Sequence, residues 1–82
     1  MNQNIWGPHF WITLHTTTFD YPINPTQNDK MHYANFINSI QYILPCKICR
    51  KNFSRKLKEK PIKNYLNTRK DFVYWMIDSH NK

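Results

Sequence analysis

Apolar side chains recur at spacings of three and four residues along most of this sequence, and no alternating apolar and polar run bounded by glycine turns interrupts them. This period is typical of amphipathic helices rather than strands. We therefore predict an all-α chain in which four short helices pack as a small four-helix bundle. A chain of 82 residues has room for one domain, which is expected to span residues 1–82.

Prolines and capping residues divide the chain into these helices. The first helix is expected to begin at Pro8, because proline favours the first helical position. Two prolines make residues 20–25 an extended connection. Pro45 ends the second helix and leaves Cys46 at the start of the third. The helices are expected over residues 8–18, 26–44, 46–60 and 68–80, with capping pairs at Thr26 with Asp29 and at Thr68 with Asp71.

The composition excludes several classes of protein. Gly7 is the only glycine, so neither of the glycine-rich phosphate-binding loops is present. The apolar stretches, of which residues 72–77 are an example, are too short for a transmembrane span or a signal-peptide core, and we expect no membrane partner. The net charge of +7 would attract nucleic acid. A general bias toward Lys and Asn accounts for the same charge, so nucleic acid is not an expected partner.

The two cysteines, Cys46 and Cys49, are the sharpest chemical signal. At positions i and i+3 in the first turn of a helix they face the same way, so they can open and close a disulfide with little backbone movement. The positive helix N-terminus, together with Lys47, Arg50 and Lys51, should favour thiolate over thiol, most strongly at Cys46. The spacing therefore indicates a redox-active pair.

Other functions remain open on the residues alone. The cysteines could form half of a zinc site completed by His15 and His80, which would make the chain a metal-stabilised interaction module. They could also be two small buried apolar residues. A basic nucleic-acid-binding bundle would use residues 47–63 and would have no enzymatic activity.

Aromatic and imidazole side chains are expected to converge inside the bundle. Trp11 and His15 lie one turn apart on the first helix, while Trp75 and His80 lie on the last. Flat side chains of this kind can form the walls of a site for a planar aromatic cofactor, although such a stripe is more often ordinary core.

A set of motifs that runs from Trp6 to Asn81 resembles the Erv/ALR family of FAD-linked sulfhydryl (thiol) oxidases. The likeness is greatest to compact, virus-encoded members, because this chain has no second cysteine pair. The motifs are Trp6-Gly7-Pro8-x-x-Trp11-x-x-Leu14-His15, Tyr21-Pro22, Leu44-Pro45-Cys46-x-x-Cys49, and Trp75 with His80-Asn81.

The resemblance implies a fold, a reaction and partners. The family fold is a four-helix bundle with a short extra helix, usually in a homodimer. The implied reaction begins when a protein dithiol, in a thioredoxin-like or other cysteine-containing substrate, attacks the Cys46–Cys49 disulfide. Electrons then pass to FAD and on to molecular oxygen, which is released as hydrogen peroxide. In this scheme Cys46 is the outward sulfur and Cys49 is the sulfur beside the isoalloxazine ring.

The family's FAD contacts carry over to six positions, which are Gly7, Trp11, His15, Tyr21, His80 and Asn81. Family members usually continue beyond His-Asn into a further short helix, whereas this sequence ends at Lys82. Part of the adenine and phosphate contact surface is therefore expected to be missing, together with the final short helix. By analogy a cytoplasmic or virion-associated setting is favoured, with the mitochondrial intermembrane space as another.

Overall fold

The computed structural model describes residues 2–81, and Met1 and Lys82, the two ends of the expected domain, lie outside the described residues. Within that range the chain is all-α and contains no strand, which confirms the predicted fold class. The elements are α1 (Gln3–Phe19), α2 (Gln27–Ile43), α3 (Lys47–Glu59), a 3₁₀ turn (Ile62–Tyr65) and α4 (Arg69–Asn81). No helix in the described part is long and apolar enough to cross a membrane.

Helix α1 begins five residues earlier than the proline signal predicts, because Asn2 caps it. The side-chain Oδ1 of Asn2 accepts a hydrogen bond of 2.8 Å from the backbone N–H of Asn4. Pro8 therefore lies inside the helix. Its missing N–H deprives only the carbonyl of Asn4, an exposed residue that water can reach. The prediction that α1 starts at Pro8 was wrong, and the extra turn brings Gln3 to the candidate site.

The expected capping pairs are both present. Thr26 Oγ1 accepts from the N–H of Asp29 at 3.0 Å, and Asp29 Oδ2 accepts from the N–H of Thr26 at 2.9 Å, which completes a capping box. Thr68 Oγ1 accepts from the N–H of Asp71 at 3.1 Å. These local bonds fix where α2 and α4 begin.

The core is built around α4, which packs against α1, while α2 packs against α3. Trp75 is fully buried, lies edge-on to Phe53 and donates its indole N–H to the carbonyl of Lys60 at 2.8 Å. Burial of a large side chain of this kind contributes roughly 1.5–3 kcal/mol. The buried apolar residues are Leu14, Tyr21, Ile37, Ile40, Leu44, Phe53, Leu57, Ile62, Leu66, Phe72, Trp75 and Met76.

Candidate redox site

The turn between α2 and α3 holds the cysteines in a fixed position. The N–H of Cys46 bonds to the carbonyl of Leu44 at 2.8 Å, and the guanidinium of Arg50 donates to the same carbonyl at 2.6 Å. Cys46 is the N-cap residue of α3 rather than its first helical residue, and it forms a disulfide with Cys49 across a Cα separation of 5.1 Å. A backbone turn and one arginine therefore present the disulfide at a helix N-terminus.

The two sulfurs of the disulfide have different surroundings. Cys49 packs against the core and lines a cavity inside the bundle. Cys46 does not line that cavity, and its Sγ lies 3.9 Å from the side-chain oxygen of Gln3. The backbone N–H of Cys49 points at Cys46 Sγ from 3.2 Å. That donor and the helix dipole would stabilise a thiolate on Cys46.

A small inner cavity of about 160 Å³ with aromatic walls lies at the junction of α1, α3 and α4. Its lining consists of Gln3, Trp6, Gly7, Phe10, Trp11, Leu44, Cys49, Asn52, Phe53, Lys56 and His80. Because Cys49 belongs to this set, one sulfur of the disulfide borders a space with aromatic walls.

An outer cavity of about 480 Å³ adjoins the inner one and shares Gln3, Gly7, Trp11 and His80 with it. Here the ring of His80 is stacked on Trp11, with centroids 4.3 Å apart and planes 6° apart. His15 Nε2 lies 2.9 Å from His80 Nδ1, a hydrogen bond that joins α1 to α4. Three predicted site residues therefore form one aromatic cluster at the mouth of the bundle.

The charge of this cluster is set by two groups. Burial against Trp11, and then the nearby His15 and Lys56, lower the pKa of His80 below its usual value, which favours the neutral ring that a bond between two imidazoles requires. The ammonium of Lys56 lies 5.5 Å from the centroid of Trp11. Burial, and to a lesser degree Arg55, lower the pKa of Lys56.

Two observations indicate that the cavities suit a flat ligand with hydrogen-bond acceptors. A Cβ built on Gly7 would meet only the Cγ of Gln3, at 3.8 Å, so the glycine leaves open space on the wall shared by both cavities. The indole N–H of Trp6 is buried and has no hydrogen-bond partner among residues 2–81. A buried donor without a partner is uncommon in native proteins, and a ligand carbonyl would satisfy it. The residues present therefore fit an aromatic cofactor such as a flavin.

Three residues singled out from the sequence lie away from this cluster. Tyr21 has no exposed surface, and its hydroxyl donates to the carbonyl of Leu66 at 2.6 Å. It lines neither cavity, so the structure does not bring it to the site. Trp75 is a core residue rather than a wall of the site. Asn81 is exposed at the end of α4, next to His80.

The zinc site considered from the sequence is not assembled. Cys46 and Cys49 are joined in a disulfide, so neither offers a thiolate to a metal. His15 and His80 bond to each other through one nitrogen each. Across residues 2–81 no group of three or more His, Cys, Asp or Glu side chains is placed to hold an ion.

Two lining residues, Gln3 and Lys56, were missed by reasoning from the sequence. Gln3 was missed because α1 was expected to begin at Pro8. Lys56 had a detectable signal, since it follows Cys49 by seven residues and so returns to nearly the same helix face. Its charge alone does not distinguish it from the other basic residues of the run 47–63.

Comparison with known proteins agrees with this geometry. The model of the Erv1/Alr family matches residues 8–82. A protein of Acanthamoeba polyphaga mimivirus, named Probable FAD-linked sulfhydryl oxidase, is 42% identical over 82 residues, covering 99% of this chain and 57% of its own length. The FAD-linked sulfhydryl oxidase of an African swine fever virus isolate is 34% identical over 76 residues, covering 93% of this chain and 62% of its own.

A solved structure extends the likeness from sequence to fold. The crystal structure of the yeast Erv1 core superposes with a TM-score of 0.92 at 28% identity, covering 99% of this chain and 67% of that one. The yeast mitochondrial FAD-linked sulfhydryl oxidase is 32% identical over 93% of this chain and 39% of its own length. This chain therefore spans between 39% and 62% of the length of these three curated relatives. By sequence and by fold, the chain belongs to the Erv1/Alr family.

Proposed function

We propose that this chain is an FAD-dependent sulfhydryl oxidase, which forms disulfides in substrate proteins and passes the electrons from Cys46 and Cys49 through FAD to oxygen, with release of hydrogen peroxide. One observation carries the proposal: a disulfide at a helix N-terminus has one sulfur on an aromatic cavity and the other outside it. The names of the viral and yeast relatives support the same activity.

The exchange with substrate uses the asymmetry of the disulfide. A substrate thiolate attacks Cys46 Sγ, a substrate–Cys46 bond forms, and the Cys46–Cys49 bond breaks with its electron pair leaving on Cys49. The second substrate thiolate then attacks the mixed disulfide and releases Cys46 as a thiolate. That product is stabilised by the N–H of Cys49 at 3.2 Å and by the helix dipole. The substrate leaves with a disulfide, and two electrons remain on the cysteine pair.

FAD would be held by Gly7, Trp11, His15 and His80, with Asn81 at the exposed end of α4. The open wall at Gly7 would admit a ring, and the Trp6 indole N–H would donate to an acceptor on it. When bound, FAD supplies a two-electron acceptor that oxygen can reoxidise. The aromatic side chains orient it and limit the access of water.

The partner in assembly is a second copy of this chain. Three exposed apolar residues on α1, which are Ile5, Ile12 and Phe19, are spaced by seven, and so are Phe36 and Ile43 on α2. A helix returns to nearly the same face after seven residues, so each set forms a stripe. Beside the α2 stripe lies a groove lined by Thr17 of α1 and by His32, Tyr33 and Phe36 of α2. An exposed apolar surface of this kind is typical of subunit interfaces, and a self-complementary patch gives a homodimer.

The substrate is a protein dithiol, in a thioredoxin-like or another cysteine-containing protein. By family analogy the setting is cytoplasmic or virion-associated; the alternative is the mitochondrial intermembrane space, since the yeast relative is named as mitochondrial. The test is to purify the chain, record the visible absorbance of bound flavin, and follow oxygen uptake and peroxide release with dithiothreitol. Bound flavin with equal uptake and release supports the proposal. A flavin-free chain that does not bind added FAD contradicts it.

A further inference from the structure

We propose that Lys56 supplies the positive charge that stabilises the Cys49 thiolate when a substrate thiol opens the disulfide. This inference rests on the proposed oxidase function and assigns a residue to its first step. In that step the substrate sulfur bonds to Cys46, the Cys46–Cys49 bond breaks, and the electron pair leaves on Cys49. No further reactant is needed, because the substrate thiolate supplies the charge that Cys49 receives.

The geometry of α3 directs Lys56 toward Cys49. Residues seven apart on an α-helix lie about 20° from the same face and about 10.5 Å apart along the axis. Side chains on a helix lean toward its N-terminus, so the long side chain of Lys56 leans toward Cys49 and shortens that separation. Its ammonium lies 5.5 Å from the centroid of Trp11, and Trp11 and Cys49 line the same inner cavity.

Among the described residues that line the inner cavity, Lys56 is the only lysine or arginine. The α1 residues of the lining are Gln3, Trp6, Gly7, Phe10 and Trp11, and α2 contributes only Leu44 at its C-terminal cap; none of these is charged. From α4 the lining includes His80, whose pKa is lowered by burial and then by the nearby His15 and Lys56. Among the described lining residues there is no carboxylate. Among these lining side chains, a thiolate on Cys49 therefore faces the ammonium of Lys56 and no carboxylate.

The two cysteines are stabilised by different means. Cys46 at the N-cap has the backbone N–H of Cys49 at 3.2 Å. Cys49 lies one turn further into the helix, and no hydrogen bond to its sulfur is formed within residues 2–81. Burial lowers the pKa of Lys56, which indicates that its ammonium has lost part of its hydration. A charge that is partly shielded from water acts over a longer distance than a fully exposed one.

The experiment titrates the Cys49 thiol in the full-length Cys46→Ser chain, in which the ultraviolet absorbance of the thiolate reports one cysteine only. Lys56→Met in that background should raise the pKa of Cys49 by about half a unit to one unit, which is roughly a threefold to tenfold smaller thiolate fraction at neutral pH. Lys56→Arg should restore it, because it restores the charge. The matched control is Lys58→Met, which removes an exposed lysine from the opposite side of α3.

An unchanged pKa of Cys49 in the Lys56→Met chain would overturn the proposal. So would a rise that Lys56→Arg fails to reverse, since that pattern would mean that Lys56 only packs against Trp11. Thermal melts run in parallel identify any loss of fold, and Lys56→Gln replaces Lys56→Met if the latter unfolds. As a second measurement, dithiothreitol should open the disulfide of the Lys56→Met chain, with both cysteines present and without oxygen, about threefold or more slowly than that of the parent chain.

The outcome is separable from that of the proposed function. Neither measurement requires FAD, oxygen or turnover, so a chain without oxidase activity still reports the effect of Lys56 on Cys49. Conversely, oxidase activity in the parent chain together with an unchanged titration would reject only the role of Lys56.

Discussion

The ring of His80 lies flat on the indole of Trp11, with centroids 4.3 Å apart and planes within 6° of parallel. His80 comes from the last turn of α4 and Trp11 from the middle of α1. This contact joins α1 to α4 at the mouth of the bundle and brings together residues 69 positions apart. It also places two aromatic side chains on a wall shared by both cavities.

Replacing Cys49 by serine should abolish oxidation of dithiothreitol while leaving FAD bound, because the disulfide is lost and the aromatic wall is kept. Oxygen uptake and visible flavin absorbance measure the two properties in one sample. Ile48→Ser is the matched control, since it places a serine on the exposed residue between the cysteines. Oxygen uptake at the parental rate in Cys49→Ser would contradict the proposed relay.

Replacing His15 by alanine should lower FAD retention and thermal stability together. The change removes the 2.9 Å bond to His80, a net loss of about 0.5–1 kcal/mol, and frees the His80 ring to leave Trp11. Flavin content after gel filtration and the melting temperature are the measurements. His9→Ala, an exposed histidine of the same helix, should change neither. Full flavin retention in the His15→Ala chain would remove His15 from the site.

Stability should decrease as the pH falls below the usual histidine pKa of 6.5, in part because of His80. The folded chain binds a proton at His80 less readily than the unfolded chain, since burial, His15 and Lys56 lower the pKa of that ring. The unfolded state therefore takes up more protons across this interval, and unfolding becomes easier. The contribution is fully present above 6.5 and is lost as the pH falls toward the lowered value.

The measurement for His80 is the difference in melting temperature between the parent chain and His80→Gln as a function of pH. The parent should lose more stability than the variant on acidification from about pH 7 to about pH 5, the range in which histidine titrates. His9→Gln controls for an exposed histidine elsewhere on the surface. Parallel curves for the parent and His80→Gln would refute this account.

Replacing Tyr21 by phenylalanine should destabilise the fold and spare FAD binding. The hydroxyl bonds to the carbonyl of Leu66 in a fully buried setting, so its removal leaves that acceptor unpaired at a cost of about 1–3 kcal/mol. Chemical denaturation and flavin titration separate the two effects. Tyr42→Phe, at a position that is 76% exposed, serves as the control. Weaker FAD binding with unchanged stability would place Tyr21 at the cofactor after all.

Phe36→Glu should convert a dimer into a monomer. If the apolar stripes of α1 and α2 meet their copies, the dimer buries one glutamate from each subunit. The dissociation constant of the dimer should therefore rise by more than about tenfold. Sedimentation at several concentrations measures the change. Ile23→Glu is the control, because that exposed residue lies in the connection between the two helices. A parent chain that is monomeric at all concentrations would end the homodimer proposal.

Short-range chemistry explains which parts of this fold were predictable. The caps at Thr26 and Thr68 were predictable because each pairs with a residue three positions away. The start of α1 was misplaced because Pro8 is tolerated inside a helix whose preceding turn is exposed and capped by Asn2. Proline favours the first position of a helix, but Pro8 does not occupy that position in α1.

The parts of the site that lie within one helix could be predicted from the spacing of residues in the sequence. The spacing of Cys46 and Cys49 indicated a disulfide, and the spacing of Trp11 and His15 placed them on one face of α1. That His80 stacks on Trp11 depends on how α4 packs against α1, which no local pattern encodes. The same long-range packing places Tyr21 in the core, although it follows the end of α1 by only two residues.

Because Cys46 caps helix α3, the stability of the first turn of α3 should depend on whether the Cys46–Cys49 disulfide is oxidised or reduced. Oxidised, the cap sulfur is a neutral bridge. Reduced, it can be an anion facing the N–H of Cys49 and the dipole of the helix. The first turn of α3 should therefore be held more firmly after each reduction, and its amide protons should exchange with solvent more slowly. Each catalytic cycle would then tighten and relax one helical turn, so the rate of hydrogen exchange there would report the fraction of the chain that is reduced, without any probe on the substrate.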